Sequence, residues 1–261
     1  WVFTEENPSR ELRVAAGLAS ASRALKEYNP SLSKRCLTIA QSLWETNQNA
    51  RPFMKVQAAT ELLLTTGETK YKNYFLESSS VLSENIQRTG WLLGRVLKEI
   101  GDENFTKSIE DSVTVFRDRI ELERKENPYG VPYKPNIWGA GWGIQRFGVE
   151  QYFLTSGFPE IFPNDYMLHA LNFVLGCHPG TNNASFASGV GSKSIKVAYG
   201  VNRADWSFIP GGVVSGTALI RPDYPELLEW PFLWQQTEYV MGGGGTNFMF
   251  LVLAADHLLS E

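Results

Sequence analysis

Cysteine is nearly absent: Cys36 and Cys177 are the only two, far apart and without CxxC spacing, which argues against a metal knuckle and against a disulfide framework. Unpaired cysteines usually sit inside proteins, so both are expected as buried free thiols. Histidine is scarce too, with His169, His178 and His257 spread along the chain, and no GxGxxG, P-loop, HExxH or GxSxG pattern occurs. Nucleotide-binding, zinc-protease and serine-hydrolase readings fall with those absences. Positive charge is not in excess: 24 Lys and Arg stand against 28 Asp and Glu for a net charge of -4, which disfavours nucleic acid and a polybasic membrane patch. No apolar run approaches the roughly 18–20 residues that cross a bilayer, and the first residues have no charged n-region or apolar h-region, so a soluble chain is expected. A start at Trp1 rather than at a methionine leaves processing and truncation open.

What is present is helical periodicity. From Glu11 to about Tyr28 apolar residues recur at Leu12, Ala15, Ala16, Leu18, Ala19 and Leu25, and Asn29-Pro30 marks the stop. Further helices are predicted over Leu32–Trp44, Pro52–Leu64 with a stop at Gly67, Glu68–Leu82, Gly90–Ile100, Asn104–Arg124, Ile144–Leu154, Tyr166–Leu175 and Asn247–Leu259. The stretch from Gly176 to Gly245 differs: it is rich in Gly, Pro, Asn and Ser, carries scattered tryptophans and has no helical period. Two short runs in it, Ile195–Tyr199 and Gly212–Leu219, are candidate strands of a small hairpin. A loop segment of this length on a helical scaffold is where function is expected. No strict internal repeat is visible, so a closed ring of dissimilar helical hairpins is preferred to a solenoid, with 1–261 as one domain.

The sharpest chemical signal is Trp234-Gln235-Gln236-Thr237-Glu238-Tyr239, followed by Met241 and the glycines 242–245. A carboxyl among aromatic rings in a partly dry pocket holds its proton toward neutral pH and suits a general acid of glycosidase type. The plainer alternative, a flexible loop before a helix, weighs equally on spacing alone. Trp138, Trp142, Tyr199, Trp206, Phe208, Trp230, Trp234 and Tyr239 crowd the loops, and flat apolar rings with polar edges suit pyranose faces, although core packing must claim about half of them. Arg203 and Asp205 beside Trp206 could contact sugar hydroxyls or form an ordinary surface ion pair. His169 and His257 fall on predicted helices, where packing or a solvated face is expected, whereas His178 before Pro179 is more open to a role. A single loop carboxylate such as Asp205 or Asp223 makes no calcium site, and neither a metal nor a cofactor is indicated.

Several motifs in order carry a resemblance. Asn7-Pro8-Ser9-Arg10 leading into Ala15-Ala16 and Ala19-Ser20-Ala21-Ser22-Arg23, then Tyr28-Asn29-Pro30, is similar to the early helices of family-nine glycoside hydrolases. Ile137-Trp138-Gly139 resembles the Trp-Gly before a later helix of that family, and Leu171–Pro179 resembles its Leu-Gly-Asn-Pro segment. Ser188-Gly189-Val190-Gly191 resembles its Thr-Gly-containing turn, Ile209–Gly216 its Gly-Ala-Leu-Val-Gly-Gly stretch, and Thr237-Glu238 with the helix from Asn247 its catalytic Asn-Glu and terminal helix. The resemblance covers nearly the whole chain. It implies an all-α fold, an (α/α)6 barrel or toroid here lacking its first helices, and a cellulase or endoglucanase-like enzyme inverting β-1,4 linkages of a glucan. Glu238 would be its general acid and Arg203 a substrate contact, with Trp138, Trp206, Trp234 and Tyr239 the aromatic candidates for sugar faces from the reading above, and a secreted or periplasmic address is implied.

The departures are as informative. The family's water-activating base lies in an Asp-Ala-Gly-Asp segment that is absent from these residues. Its His-His-Arg loop is represented only by Gly200-Val201-Asn202-Arg203, and the glycines 242–245 replace a stretch with Asp or Asn, pointing to a divergent subgroup or a different β-glycan. Two rivals remain: a noncatalytic carbohydrate-binding remnant, and another toroid such as a polysaccharide lyase, which the negative net charge disfavours for uronate polymers.

Overall fold

A computed structural model describes residues 6–132, 139–180, 183–194, 209–214 and 243–260. Among these it is helical almost throughout: α1 (Pro8–Leu25), α2 (Pro30–Thr46), α3 (Pro52–Thr66), α4 (Thr69–Glu77), α5 (Ser79–Glu84), α6 (Ile86–Leu93), α7 (Leu97–Ile100), α8 (Glu103–Glu123), α9 (Ala140–Gly157), α10 (Asp165–Leu175) and α11 (Gly243–Ser260). Two short parallel strands, β1 (Ala184–Ser185) and β2 (Lys193–Ser194), pair Ala184 with Lys193 and Ser185 with Ser194. No helix among the described residues is long and apolar enough to cross a membrane. The chain packs as two compact units, Trp1–Phe116 with Ser156–Phe158, and Arg117–Thr155 with Pro159–Glu261.

In the first unit the helix starts are written in the sequence. Asn7 and Asn29 are N-caps whose side chains accept the N–H of Arg10 at 3.0 Å and of Leu32 at 3.1 Å, and each is followed by proline in the first turn. Leu12, Ala15, Ala16 and Ala19 then form one buried face, whose small side chains bring α1 close to α2 and α3. Trp44 of α2 meets Tyr71 and Tyr74 edge to face with centroids 5.3 and 5.5 Å apart, and the ammonium of Lys55 lies 4.4 Å from the Trp44 ring centre.

The expected Glu68–Leu82 helix is interrupted. Ser78, the first of three serines of weak helix propensity, leaves helical geometry at φ -99 and ψ 5 and separates α4 from α5. The expected Gly90–Ile100 helix likewise becomes α6 and α7. A glycine pair lies at that break: a Cβ on Gly157 would stand 2.6 Å from the Gly94 Cα, so the two backbones touch where any side chain would part them.

A buried carboxylate fastens this unit. Glu61 of α3 is 7% exposed, and its two oxygens accept from Arg23 of α1 at 2.6 Å and from Arg95, after α6, at 2.5 Å. Arg23 also donates to the Thr65 hydroxyl at 2.7 Å.

In the second unit α9, α10 and α11 converge. A Cβ on Gly148 would come within 2.8 Å of the Ala170 Cβ and 2.9 Å of Leu251, so this glycine sets the helix spacing. Met167, Leu171, Leu251, Ala254 and Ala255 form the core between α10 and α11. Of the two expected buried thiols, Cys36 is buried but Cys177 is exposed, because it follows directly on Gly176, where α10 ends and the chain turns outward. The candidate strand Ile195–Tyr199 lies outside the described residues. In Gly212–Leu219, the described Val213 forms an isolated antiparallel bridge to Ala187.

The Glu61 cluster generates a prediction. Removing one charge of a buried pair leaves the others uncompensated, and since the Arg23 side chain is 36% exposed the cost falls at the lower end of the usual range. Glu61→Gln is expected to lower unfolding stability by about 3 kcal/mol, read as a shift of the urea midpoint with unchanged slope.

Candidate functional site

Trp138, Arg203, Trp206, Trp234, Glu238 and Tyr239 all lie outside the described residues, as do Asp205 and Asp223. What the structure shows is the framework from which their segments leave. Trp138 directly precedes Gly139, at φ 89, whose carbonyl accepts the Gly143 N–H at 2.7 Å at the start of α9. Arg203 and Trp206 belong to 195–208, between β2 and Ile209. Trp234, Glu238 and Tyr239 belong to 215–242, between Val214 and α11.

The framework is built on the end of α10. Gly176 adopts the left-handed conformation at φ 68 and donates to Asn172 and Phe173, while the Cys177 N–H donates to Asn172 O at 2.8 Å. The next two carbonyls are met from the following loop: Phe186 N–H donates to Val174 O and Ser192 N–H to Leu175 O, each at 2.8 Å. Gly191, at φ 83, makes this possible, since a Cβ there would stand 2.4 Å from the Leu175 carbonyl oxygen and 2.6 Å from the Ser185 hydroxyl.

The segment 209–214 is bound to that loop in turn. Val214 N–H donates to Phe186 O at 2.9 Å, Ser188 N–H to Gly212 O at 2.9 Å, and Gly211 N–H to Ser188 O at 2.7 Å. Phe186, Ala187 and Val214 bury their side chains with Phe173 and Val174 of α10, Ile144 of α9, Tyr129 and Val131. Hydrogen bonds thus set the loop's register and apolar burial seats it on the helices.

His178 closes the other side of the α10 terminus. Its ring meets Tyr129 edge to face at 4.4 Å and stacks on Phe173 at 6.1 Å, and its Nδ1 is buried without a hydrogen-bond partner. Burial pushes its pKa below the ordinary histidine value, so the neutral ring is favoured in this aromatic setting. Gly180 fits against both rings, since a Cβ there would stand 2.9 Å from the Tyr129 ring and 3.2 Å from the His178 Nδ1. His169 stands beside Gly130 with its Nδ1 4.0 Å from an Asp165 oxygen, and His257 is exposed in the last turn of α11.

Two polar residues are buried in a way the sequence does not announce, although Ser188 stands in one of the motifs of the resemblance. Ser188 is fully buried at the junction of the two loop segments. Gln145 of α9 is also fully buried, with neither amide atom hydrogen-bonded. A serine in a Gly-rich loop and a glutamine in a helix give no sequence sign of either position. Among the described residues no group of three His, Cys, Asp or Glu side chains is placed to hold a metal ion.

With this geometry in view, the comparisons with known proteins are specific. The family model described as glycosyl hydrolase family 9 matches residues 2–201. No curated protein matches the chain. Among solved structures, AaCel9A in complex with cellobiose-like isofagomine is similar at TM-score 0.75 and 12% identity, covering 97% of this chain and 56% of its own. A metagenome-derived glycoside hydrolase family 9 endoglucanase is similar at 0.74 and 16%, covering 95% and 52%. The cellulase Cel9M of C. cellulolyticum is similar at 0.74 and 14%, covering 97% and 64%. The chain therefore spans 52–64% of the length of these structures. At such identities the likeness shows the fold, the all-helical one of the (α/α)6-barrel enzymes.

Two outcomes follow from the α10 terminus. Gly191→Ala combines left-handed strain with a backbone clash and is expected to cost roughly 2–4 kcal/mol, measured by chemical denaturation. For His178, a folded pKa below the unfolded value means that the unfolded chain binds more protons as pH falls below 6.5, so stability is lost through that window. His178→Phe, which keeps the ring contacts, is expected to flatten this acid loss when thermal midpoints are compared between pH 7 and pH 5.

Proposed function

The chain belongs to glycosyl hydrolase family 9, and from that premise we propose that it hydrolyses β-1,4-glycosidic bonds in a glucan or related polysaccharide, inverting the anomeric centre with Glu238 as general acid. The family match over residues 2–201 carries the reading. The framework on α10 supports it, since its hydrogen bonds hold 209–214, the stretch that joins two of the segments containing candidate residues.

In this mechanism the protonated Glu238 gives its proton to the leaving glycosidic oxygen. Trp234 and Tyr239, its neighbours in sequence, supply an apolar setting that keeps the carboxyl protonated near neutral pH. Trp138, Trp206, Trp234 and Tyr239 stack on sugar rings, and Arg203 donates to ring hydroxyls. Inversion needs a second carboxylate roughly 6.5–9.5 Å from the first, to activate a water on the opposite face of the sugar. No Asp-Ala-Gly-Asp segment occurs here, and we assign that base to a part of the family's catalytic domain with no counterpart in these residues. Residues 1–261 are then the carboxy-terminal portion of one catalytic domain. A polysaccharide substrate outside the cell makes the protein secreted or periplasmic, and the chemistry uses no cofactor.

The absence of the Asp-Ala-Gly-Asp segment specifically favours a second reading, a carbohydrate-binding protein without turnover. Reducing-sugar release from soluble β-glucans separates the two, using this chain and a form extended upstream. Glu238→Gln is expected to lower kcat by about 10²- to 10⁴-fold, the usual contribution of a general acid, while oligosaccharide binding persists. Binding without release in every form, with Glu238→Gln indistinguishable, would establish the noncatalytic reading.

A further inference from the structure

The last helix, α11, is apolar around its whole circumference. Phe248–Ala255 are eight consecutive apolar residues, and none of the 18 residues of Gly243–Ser260 is Lys or Arg. One side of this helix is covered: Leu251, Ala254 and Ala255 pack with Met167 and Leu171 of α10. The opposite side carries Met249, 63% exposed, Val252, 41%, and Leu253, 67%, with the exposed Asp256 among them and Leu259, 74%, nearer the end. Positions 249, 252, 253 and 256 follow the i, i+3, i+4, i+7 spacing of a single helix face. A solvated helix of this chain is written differently: the 21 residues of α8 include nine Lys, Arg, Asp and Glu, among which Val115 and Leu122 stand exposed. A helix that is apolar all round belongs in a protein interior, so the outward face of α11 calls for a cover that the described residues do not supply.

The character of the face narrows what covers it. A membrane surface is disfavoured, because helices that lie in the lipid interface bring Lys and Arg on their polar side, and α11 has neither. A second copy of this chain is disfavoured by size. A stable dimer takes roughly 20–30 residues and about 800 Å² from each partner, and this face is one side of one 18-residue helix. One helix side is instead the unit of packing between neighbouring helices within a domain. The solved structures point to the source of such a helix: they match 95–97% of this chain, yet the chain spans only 52–64% of their length. Resting on the hydrolase reading above, we propose that the outward face of α11 is a docking surface for a helix of the same catalytic domain, from the part that carries the water-activating carboxylate and has no counterpart in residues 1–261. The helix it fits is apolar along Met249, Val252 and Leu253 and places a Lys or Arg opposite Asp256. In chain order α11 begins at Gly243, five residues after Glu238, so the contact joins the acid-bearing and base-bearing parts of one domain.

Thiol labelling tests the contact. In a Cys177→Ser background, where the remaining Cys36 is buried, Met249→Cys and Leu253→Cys are made in residues 1–261 and in the form extended upstream. Val115→Cys on α8, at a position 70% exposed, serves as reference. A buried thiol reacts only when its cover opens. In residues 1–261 both α11 thiols are expected to react within about threefold of the reference, and in the extended form about 100-fold more slowly with the reference unchanged. Equal rates in the two forms would overturn the proposal. Slow labelling in residues 1–261 would overturn it as well: recovery on dilution would identify a second copy as the cover, and rates independent of concentration would identify the chain's own loops. Reducing-sugar release from soluble β-glucan by the extended form keeps the two readings apart. Release with unprotected α11 thiols sinks the docking surface alone, whereas protected thiols without release sink the hydrolase reading and leave the docking surface standing.

Discussion

The last carbonyls of α10 are the constraint on which the framework of 186–192 and 209–214 depends. A helix end leaves carbonyls without intrahelical partners, and this end lies against the core around Phe173 and Val174. An ordinary hydrogen bond contributes only about 1 kcal/mol net, but a buried carbonyl left unpaired costs about 1–3 kcal/mol. The asymmetry means that a donor must be found for Val174 and for Leu175, and Phe186 and Ser192 provide them. Once those two amides are fixed, the chain between them must turn tightly beneath Leu175, which is where Gly191 sits. The carbonyl of Phe186 then faces outward to receive Val214, and the position of the 209–214 segment follows.

The first unit is governed by a different balance. Each fully buried Leu, such as Leu12, Leu62 or Leu63, contributes about 1.5–3 kcal/mol by leaving water, so apolar burial dominates its stability. The Glu61 carboxylate with its two arginines adds little net, because desolvation offsets most of the attraction. Its consequence is geometric. Only one register of α1 against α3 puts Arg23 on one oxygen while Arg95 takes the other, so the cluster penalises slipped packings that an alanine-rich face would otherwise tolerate.

How much of this was legible in the sequence depends on whether the deciding group is local. Asn7-Pro8 and Asn29-Pro30 announce helix starts because cap and proline act within one turn, and Gly67 and Gly176 announce ends because left-handed backbone favours glycine. The breaks inside Glu68–Leu82 and Gly90–Ile100 were not legible. The first depends on a serine run of merely weak propensity, and the second lies where Gly94 meets Gly157, over sixty positions away. Cys177 was misjudged because average burial says nothing of a residue just past a helix cap. At the site, the setting of Glu238 among aromatics and the crowding of rings in the loops singled out the candidates by residue type, the family motifs added the role of Glu238, and all six candidate residues lie outside the described residues. Ser188 was legible only as part of a motif of the resemblance, and its burial was not, because its partners Ile209 and Gly212 are distant in sequence.

The rigidity of the framework matters because of the tolerance of the proposed chemistry. Inverting hydrolysis sets an acid and a base on opposite faces of one sugar ring with room for a single water, and a misplacement of about 1 Å can cost 10²-fold in rate. Loops alone seldom hold such tolerance; sites gain it when their supporting shell is locked by packing and hydrogen bonds. Here the lock is made mostly of backbone groups, with bonds of 2.7–2.9 Å tying 186–192 and 209–214 to α10 and to each other. Backbone bonds tolerate side-chain replacement, so the loops beyond residues 194 and 214 can diverge in sequence without disturbing the points from which they leave. That separation fits a chain only 12–20% identical to solved family-nine structures that keeps their fold while residues 200–203 retain little beyond Arg203 of the family pattern.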